Sequence, residues 1–404
     1  MVVFPNQPSE ITVRLLNRRA NTPIEDITTS VRFITINEKL RKYGTGRMEI
    51  LAEDLTSESN NAIISGNAAI QIIREWEEVR PDGENQSYTD TFSGPITIAK
   101  LKDGDFISQK IDFTNVKNEI VVLGSGTGSS RGLTRVNNTA SQTNIGCREL
   151  VIDARDATTS AERTAKGNAI IVETLEAHRQ IDAGGRSRGQ LVWELLFADH
   201  KVYLAWRHVD AAGVASVDPG NVAAGNYIRS LINDNLLLPG SASHGNFARR
   251  QIEAPAVIGT YSGIGNNIDI PVRWTNLAQS IQLACALGDV GVTSTINTSN
   301  QIEYNISAFN DRTSGTTNGV IWNRDNVEAT WNVQVGDKIT VEEYLKSTST
   351  NAEIEPADHV CVGRSLFMVR GQQDIIKLQI GSDQLGIMEN VKQQLQTTTA
   401  SQFV

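Results

Sequence analysis

Through the first half of the chain, apolar and β-branched residues come in short runs, at Ile11 to Leu16, Val31 to Ile36, Ile70 to Trp76, Ile96 to Leu101 and Glu119 to Leu123. Runs of this length predict strands rather than helices. Turn-forming residues stand between them, at Asn17 to Pro23, Tyr43 to Gly46, Pro81-Asp-Gly83 and Asp103-Gly104-Asp105, the last two read as hairpin tips. Several short strands at this spacing suggest a barrel or a sandwich.

The period then changes. Ala161, Ala165, Ile171, Leu175 and His178 fall on overlapping turns of a helix predicted over 161–181, opened by Thr159-x-x-Glu162 as a capping box and weakened by Gly167. The glycine- and arginine-rich run Ala183 to Gly189 reads as a domain edge. Beyond it, Val202, Leu204 and Trp206 alternate with Lys201, Tyr203 and Arg207, which predicts a half-buried strand over 199–209. Asp218-Pro219 offers a cap and a first-turn proline to a helix over 222–238, and a second helix is expected from Leu277 to Leu287, stopped by Gly288. Val292 to Ile296 and Ile302 to Phe309 flank Asn297-Thr-Ser-Asn300 as a hairpin.

Strand signals return from Thr313, at Gly319 to Trp322, Val327 to Val335, Lys338 to Val341, His359 to Met368 and Ile375 to Ile380. Gln393 to Val404 is rich in glutamine and threonine and reads as a tail or interaction arm. The fold class expected is mainly β with an α+β insertion: two β-barrel-like domains plus a smaller mixed α+β domain. Residues 1–185 form the first barrel-like domain with its following helix, 186–312 the insertion, and 313–404 the second barrel-like domain and polar tail.

Composition narrows the function. At 404 residues, 39% hydrophobic and 21% charged, the chain reads as a soluble globular protein of two or three domains. A net charge of -9 argues against nucleic-acid binding as the main task, since Lys and Arg supply most of such affinity. The amino-terminal Met1-Val-Val-Phe-Pro lacks a charged leader and no apolar stretch reaches membrane-spanning length, so a cytosol-like compartment without a membrane anchor is expected. Cys147, Cys285 and Cys361 lack zinc or disulfide spacing and read as buried thiols.

The stretch from Glu119 to Gly132 carries the most chemistry. A strand feeding a glycine-dense turn is the plan of a nucleotide site, but Ser129 occupies the third glycine of the dinucleotide pattern. Gly124, Gly126 and Gly128 also resemble the first motif of S-adenosylmethionine methyltransferases, with Asp153 as the ribose ligand. Gly128-Ser-Ser130-Arg-Gly132 fits the serine-hydrolase elbow. Both require an amphipathic helix directly after the turn, and Thr134 to Gly146 is polar. An enzyme using the Gly124–Gly132 loop is therefore the alternative, and a surface loop joining two strands the leading account.

Other constellations are weaker. His178, His200, His208, His244 and His359 are the chain's histidines. On the expected strand, His200 and His208 would lie at the rims of the apolar face, roughly 26 Å apart at about 3.3 Å per residue, too far to share a metal. Ser243 beside His244, the acidic runs Glu75 to Glu78 and Glu342-Glu343, and Asp103 with Asp105 read as loops and solvated faces rather than as catalytic pairs or calcium ligands. No catalytic, cofactor-binding or metal-binding residue is assigned.

Three pieces far apart in the chain resemble the tail-tip hub proteins of long-tailed phages. The first is Ile11-Thr-Val-Arg-Leu-Leu-Asn-Arg-Arg with Ile36 to Ile50. The second is Asn118 to Arg131 with Arg148-Glu-Leu-Val-Ile-Asp-Ala-Arg155 and the Gly167-containing helix, and the third is Trp331 to Val341 with its Gly-Asp turn. Tyr227 to Ile232, Asn276 to Ile281 and Ile302 to Arg312 look like that family's inserted helical region, although here it follows the glycine-rich strand instead of preceding it.

The resemblance implies a non-enzymatic structural part of a virion tail tip or baseplate, assembled in the host cytoplasm. It implies a homotrimeric ring with pseudo-sixfold symmetry that joins the tail tube or distal tail ring to a tip, spike or fibre protein, near the tape measure protein. DNA would pass through the lumen without specific binding, aided by negative charge, and no cofactor is implied.

Overall fold

A computed structural model describes residues 10–40, 42–79, 85–103, 107–174, 178–183, 190–212, 214, 216–242, 247–312, 321–322, 333–341, 357–369 and 375–380. The alternation near the amino terminus builds β1 (Glu10–Asn17), which buries Val13 and Leu15 on one face and exposes Glu10 on the other. β2 (Pro23–Asp26), β3 (Val31–Lys39), β4 (Thr45–Leu51), helix α1 (Ser57–Ser65), β5 (Ala68–Val79), β6 (Asn85–Asp103) and β7 (Ile107–Asp112) follow. The expected tips at 81–83 and 104–105 lie outside the described residues, but the strands flanking them pair antiparallel, Val79 with Asn85 and Asp103 with Ile107.

A separate layer follows: β8 (Glu119–Leu123), β9 (Leu133–Asn137), α2 (Thr139–Ile145), β10 (Glu149–Asp153) and α3 (Ser160–Thr174). β8 lies between β9, antiparallel, and β10, parallel. The capping box forms as expected, with Thr159 N donating to Glu162 Oε2 at 3.0 Å and Glu162 N to Thr159 Oγ1 at 3.2 Å. Gly167 is the point of closest approach, because a Cβ there would stand 2.5 Å from Val136 Cγ2. The helix ends at Thr174 rather than 181, where the Lys117 N–H meets the Thr174 carbonyl at 2.9 Å. His178 instead opens β11 (His178–Ala183), whose ladder with β7 overrides local helical periodicity.

β12 (Leu191–Ala198) returns to the first layer. The chain then enters a compact α+β unit of α4 (Val202–Ala205), β13 (Val222–Ala223), α5 (Ala224–Ile232), β14 (Ala256–Ile258), β15 (Asn267–Ile268), α6 (Leu277–Gly288), β16 (Val290–Ile296) and β17 (Ile302–Ala308). The hairpin over 290–308 and the helix over 277–288 match expectation, with Asn276 capping α6 and Asp289 ending it at φ 55°. The strand expected over 199–209 is a helical turn. Val202, Tyr203, Leu204 and Trp206 are all buried, so the alternation there does not mark an inside and an outside. The helix expected over 222–238 begins only at Ala224, because Val222 and Ala223 pair with β15, and Asp218 binds Gly220 N at 2.9 Å instead of capping it. It opens into a π-turn at Asn233–Leu237, where buried Asn235 donates to the Leu231 carbonyl at 2.9 Å and accepts from Asp210 N.

The last described strands are β18 (Asn310–Arg312), β19 (Ile321–Trp322), β20 (Asp337–Val341), β21 (Ala357–Val369) and β22 (Ile375–Ile380). The expected boundary run at 184–189 and the tail over 393–404 lie outside the described residues.

One large sheet organises these elements, in the order β18-β20-β21-β3-β4-β12-β6-β5-β1-β2, with β7, β11, β19 and β22 paired off that path. The protein is mainly β with a mixed α+β unit. The sheet crosses both expected borders, after residues 185 and 312, since β12 pairs with β4 and β21 with β3. Long β6 changes partners midway: its first half follows β5 as far as Pro95, and its second runs between β12 and β7. At that bend a Cβ on Gly94 would fall 1.7 Å from the Ala198 carbonyl oxygen, so only glycine fits. The sheet therefore folds over on itself. Ile72 and Phe92 from one limb share a core with Ile36, Leu366 and Met368 from the other, and Arg364 ties the limbs at 2.9 Å from Asp90 and 2.5 Å from Glu38. Among the described residues the path of paired strands stays open at both ends.

Candidate functional site

The glycine-rich loop is built differently from a nucleotide or nucleophile turn. β8 feeds a 3-10 turn at Gly128–Ser130 and the chain returns as β9, antiparallel, so no helix follows the glycines directly. The only helix within the polar run is short α2, after β9. The Ser130 hydroxyl donates to the Thr127 carbonyl at 2.7 Å. Asp153 is engaged by Arg131 and by Arg155, the latter at 3.2 Å. Two arginines clamp the loop by donating to its carbonyls, Arg131 to Gly124 at 2.9 Å and Arg273 to Gly128, while Arg163 ties Thr134 Oγ1 at 3.0 Å to the Thr158 carbonyl at 3.2 Å. The loop is held as a rigid projection.

The densest chemistry lies at the opposite end of the same strands. Glu119 and Glu149 open β8 and β10 in register with each other, and both are buried. Adjacent buried carboxylates ionise together only if cations answer them. Arg249 reaches Glu119 with two nitrogens at 3.1 and 2.9 Å, Arg135 of β9 approaches it at 3.4 Å, and Gln142 of α2 donates at 2.9 Å. Glu149 takes a two-point contact from Arg250 and the His208 backbone N–H at 2.8 Å. Asp210 joins the two groups, bound by Arg135 and 3.3 Å from Arg250. Arg249 and Arg250 arrive from the 3-10 turn Ala248–Arg250 of the α+β unit.

Burial alone would raise the Glu149 carboxyl, but Arg250, with Arg207 and Arg135 behind it, overcomes that cost and holds the group at about 2. Burial would likewise lower the Arg250 guanidinium, and Glu149 reverses it. Arg148 next door has too little such relief, from Tyr203 and Glu253. Burial first and Arg18 second push it down to about 9, and its guanidinium lies 3.8 Å from the centre of the Trp206 ring. Arg18 carries the network into the large sheet, donating to Glu253 at 3.0 Å, Gly66 O at 3.1 Å and Asn144 O at 3.2 Å. Three layers thus meet at one polar joint. Its carboxylates are already engaged as acceptors, so the arrangement holds position rather than moving protons.

The remaining candidates scatter. His200 and His208 are drawn inward rather than left at the rims of a strand; burial pushes them down to about 3 and, opposed by Glu149, about 4. The His200 ring stacks parallel on Tyr203 at 5.9 Å. His178 and His359 stand on β11 and β21, while Ser243, His244 and Glu342-Glu343 lie outside the described residues. Glu75 and Glu77 share the outer face of β5, with Trp76 turned the other way to stack on Tyr88 at 5.4 Å. The three cysteines are buried and none forms a disulfide. Among the described residues no group of three potential ligands could hold a metal, and no helix is long and apolar enough to cross a membrane. Sequence reasoning missed Glu119, Arg135, Asp210, Arg249 and Arg250. The available signal was an acidic residue opening each of two strands with apolar interiors.

No protein-family model and no curated protein matches the chain. Among solved structures, it is similar to the E. coli c3393 protein, described as a type VI secretion component structurally similar to T4 bacteriophage tail proteins, at TM-score 0.36 and 7% identity over 94% of this chain and 76% of that one. It is similar to a 43 kDa tail protein of prophage MuSo2 from Shewanella oneidensis, at TM-score 0.38 and 8% identity over 92% and 96%. A chain of the Francisella PdpA-VgrG complex gives TM-score 0.40 and 9% identity over 94% of this chain, which spans 58% of that one. Likeness at this level establishes no function.

Proposed function

We propose that the chain is a structural hub of a phage tail tip or baseplate, located in the virion and without catalytic activity of its own. Three copies form a ring that joins the tail tube or distal tail ring to the tip, spike or fibre protein, beside the tape measure protein and around the DNA channel. The observation that carries this reading is how the hub-like pieces are placed. The first piece forms β1, β3 and β4, the third ends in β20, and β21 hydrogen-bonds β20 on one side and β3 on the other, so pieces some three hundred residues apart lie in one sheet. The second piece forms β8, β10 and α3, with the glycine loop projecting at one end and the polar joint at the other.

Pseudo-sixfold symmetry requires each copy to present two similar barrel-like units. The two limbs of the large sheet share one core, and a second apolar cluster of Val333, Ile339 and Cys361 with Leu378 and Ile380 supports such a division. The division into 1–185, 186–312 and 313–404 is proposed at the level of function, with sheet hydrogen bonds crossing between the parts. The net charge of -9 suits a lumen along which DNA slides. Imaging of particles with and without this chain tests the reading: tails lacking a tip in its absence are expected, and intact tips would overturn it. A strongly positive lumen in the assembled ring would overturn the channel assignment.

A further inference from the structure

Two outer faces of the folded sheet carry opposite charge, and strand register concentrates each. On β1 and β5, Glu10 stands directly opposite Glu75, with Glu77 two residues farther along the same face. All three are exposed, and among the described residues none has a recorded ion pair. Like charges placed directly opposite weaken a strand pair. The same face carries half-buried Ile73, so it is not purely polar.

On β6 and β7 the arrangement recurs with the other sign. Lys100 stands directly opposite Lys110, and Lys102 follows on that face. Their side chains are about a third exposed, at 33%, 31% and 34%. Glu194 sits beneath Lys100, Lys102 and Arg47, Glu49 lies 3.8 Å from Lys102, and Asp112 lies 3.0 Å from Lys110, so four cations stand among three carboxylates. Half-buried Leu196 and Ile98 lie one row away on the same face. The carboxylate face has a repulsion that the lone chain does not resolve, the lysine face keeps one cation in excess, and each has an apolar margin to bury.

We propose that these are the two halves of one contact: the carboxylate face of β1 and β5 in one copy docks on the lysine face of β6 and β7 in the next. The contact rests on the ring proposed above, because unlike patches repeat head to tail and close only as a ring. Association then weakens with salt, as exposed charge pairs do.

Charge reversal with rescue tests it. Glu75→Lys with Glu77→Lys in one chain, and Lys100→Glu with Lys110→Glu in another, each set like charges across the contact. Each should weaken self-association, followed by analytical ultracentrifugation, by roughly a hundredfold or more. The chain carrying all four substitutions regains opposite faces and should reassemble, which a merely unfolded variant cannot do. Because Glu75 and Glu77 have no recorded intrachain ion pair, the first variant should keep the wild-type circular dichroism spectrum and melting temperature. Assembly of wild type with unchanged assembly of both double variants overturns the contact and leaves the hub reading standing. A wild-type chain that stays monomeric at the highest attainable concentration overturns the contact, and its absence from isolated tails overturns the hub reading itself.

Discussion

Replacing Glu149 by Gln removes one negative charge from the centre of the polar joint while keeping the side chain's shape. Arg250 would then be buried with Asp210 at 3.3 Å as its remaining carboxylate, and Arg207 and Arg135 would lose a shared counter-charge. Removing one partner of a buried ion pair costs about 3 to 5 kcal/mol. A second route gives a similar figure. The Glu149 carboxyl falls from 4.5 to about 2 on folding, which corresponds to about 3 kcal/mol of stability. Because the folded value is depressed, that contribution is fully present above pH 4.5 and is lost as pH falls toward 2. Urea unfolding of E149Q at pH 7 should show the loss, with a thermal midpoint lower by roughly 4 to 6 °C, and the gap to wild type should close in acid. An apolar double replacement, Glu149→Leu with Arg250→Met, should cost less than the single change, since the pair's charges leave together and Asp210 keeps Arg135. If E149Q unfolds within about 1 kcal/mol of wild type at pH 7, the joint does not hold the layers together as argued.

Burial depresses His200 to about 3 and His208 to about 4, so the unfolded chain takes up protons before the folded one does, and stability should decline as pH drops from 6.5 toward 4; imidazole signals that titrate near 6.5 in the folded protein would contradict this. Gly94→Ala should destabilise by about 3 kcal/mol, because the new Cβ would meet the Ala198 carbonyl at the bend of β6; a soluble variant with an unchanged melting curve would refute the close approach. Ser130→Ala should leave stability within about 0.5 kcal/mol of wild type, since its exposed hydroxyl serves only the Thr127 carbonyl. If the loop were catalytic, wild type would hydrolyse a simple ester or bind S-adenosylmethionine in calorimetry, and S130A would lose the hydrolysis.

The parts of the fold legible in the sequence are those where a single period and a single burial direction coincide. β1, β3, β5 and β8 follow from their apolar runs, and Thr159 with Glu162 announces the start of α3. The misses share a cause. Residues 199–209 alternate in sequence, but Val202, Tyr203, Leu204 and Trp206 are buried on all sides, so alternation carries no direction there. α3 stops at Thr174 because β11 finds its partner in β7, a contact between residues about seventy apart that no local window contains. The polar joint was hidden for the same reason. Glu119, Glu149, Asp210 and Arg250 come from four separate stretches, and a lone charge at a strand end reads as solvated until the fold brings its partner.

The placement of that joint bears on the function proposed. The large sheet, the β8–β10 layer and the α+β unit each have an apolar core of their own. Apolar contact between such bodies is non-directional, and a shift of one layer over another would cost little by itself. Guanidinium–carboxylate contacts behave otherwise, because Arg249 on Glu119 and Arg250 on Glu149 satisfy their donors in one relative orientation, and a displaced layer leaves buried charge unpaired. Arg18, bonded at once to Gly66, Asn144 and Glu253, extends the same constraint to the third body. A part that must hold its neighbours at fixed angles, as the proposed hub would, gains more from such orientation than from extra apolar area. Here the buried charges lie between layers, where they can resist sliding.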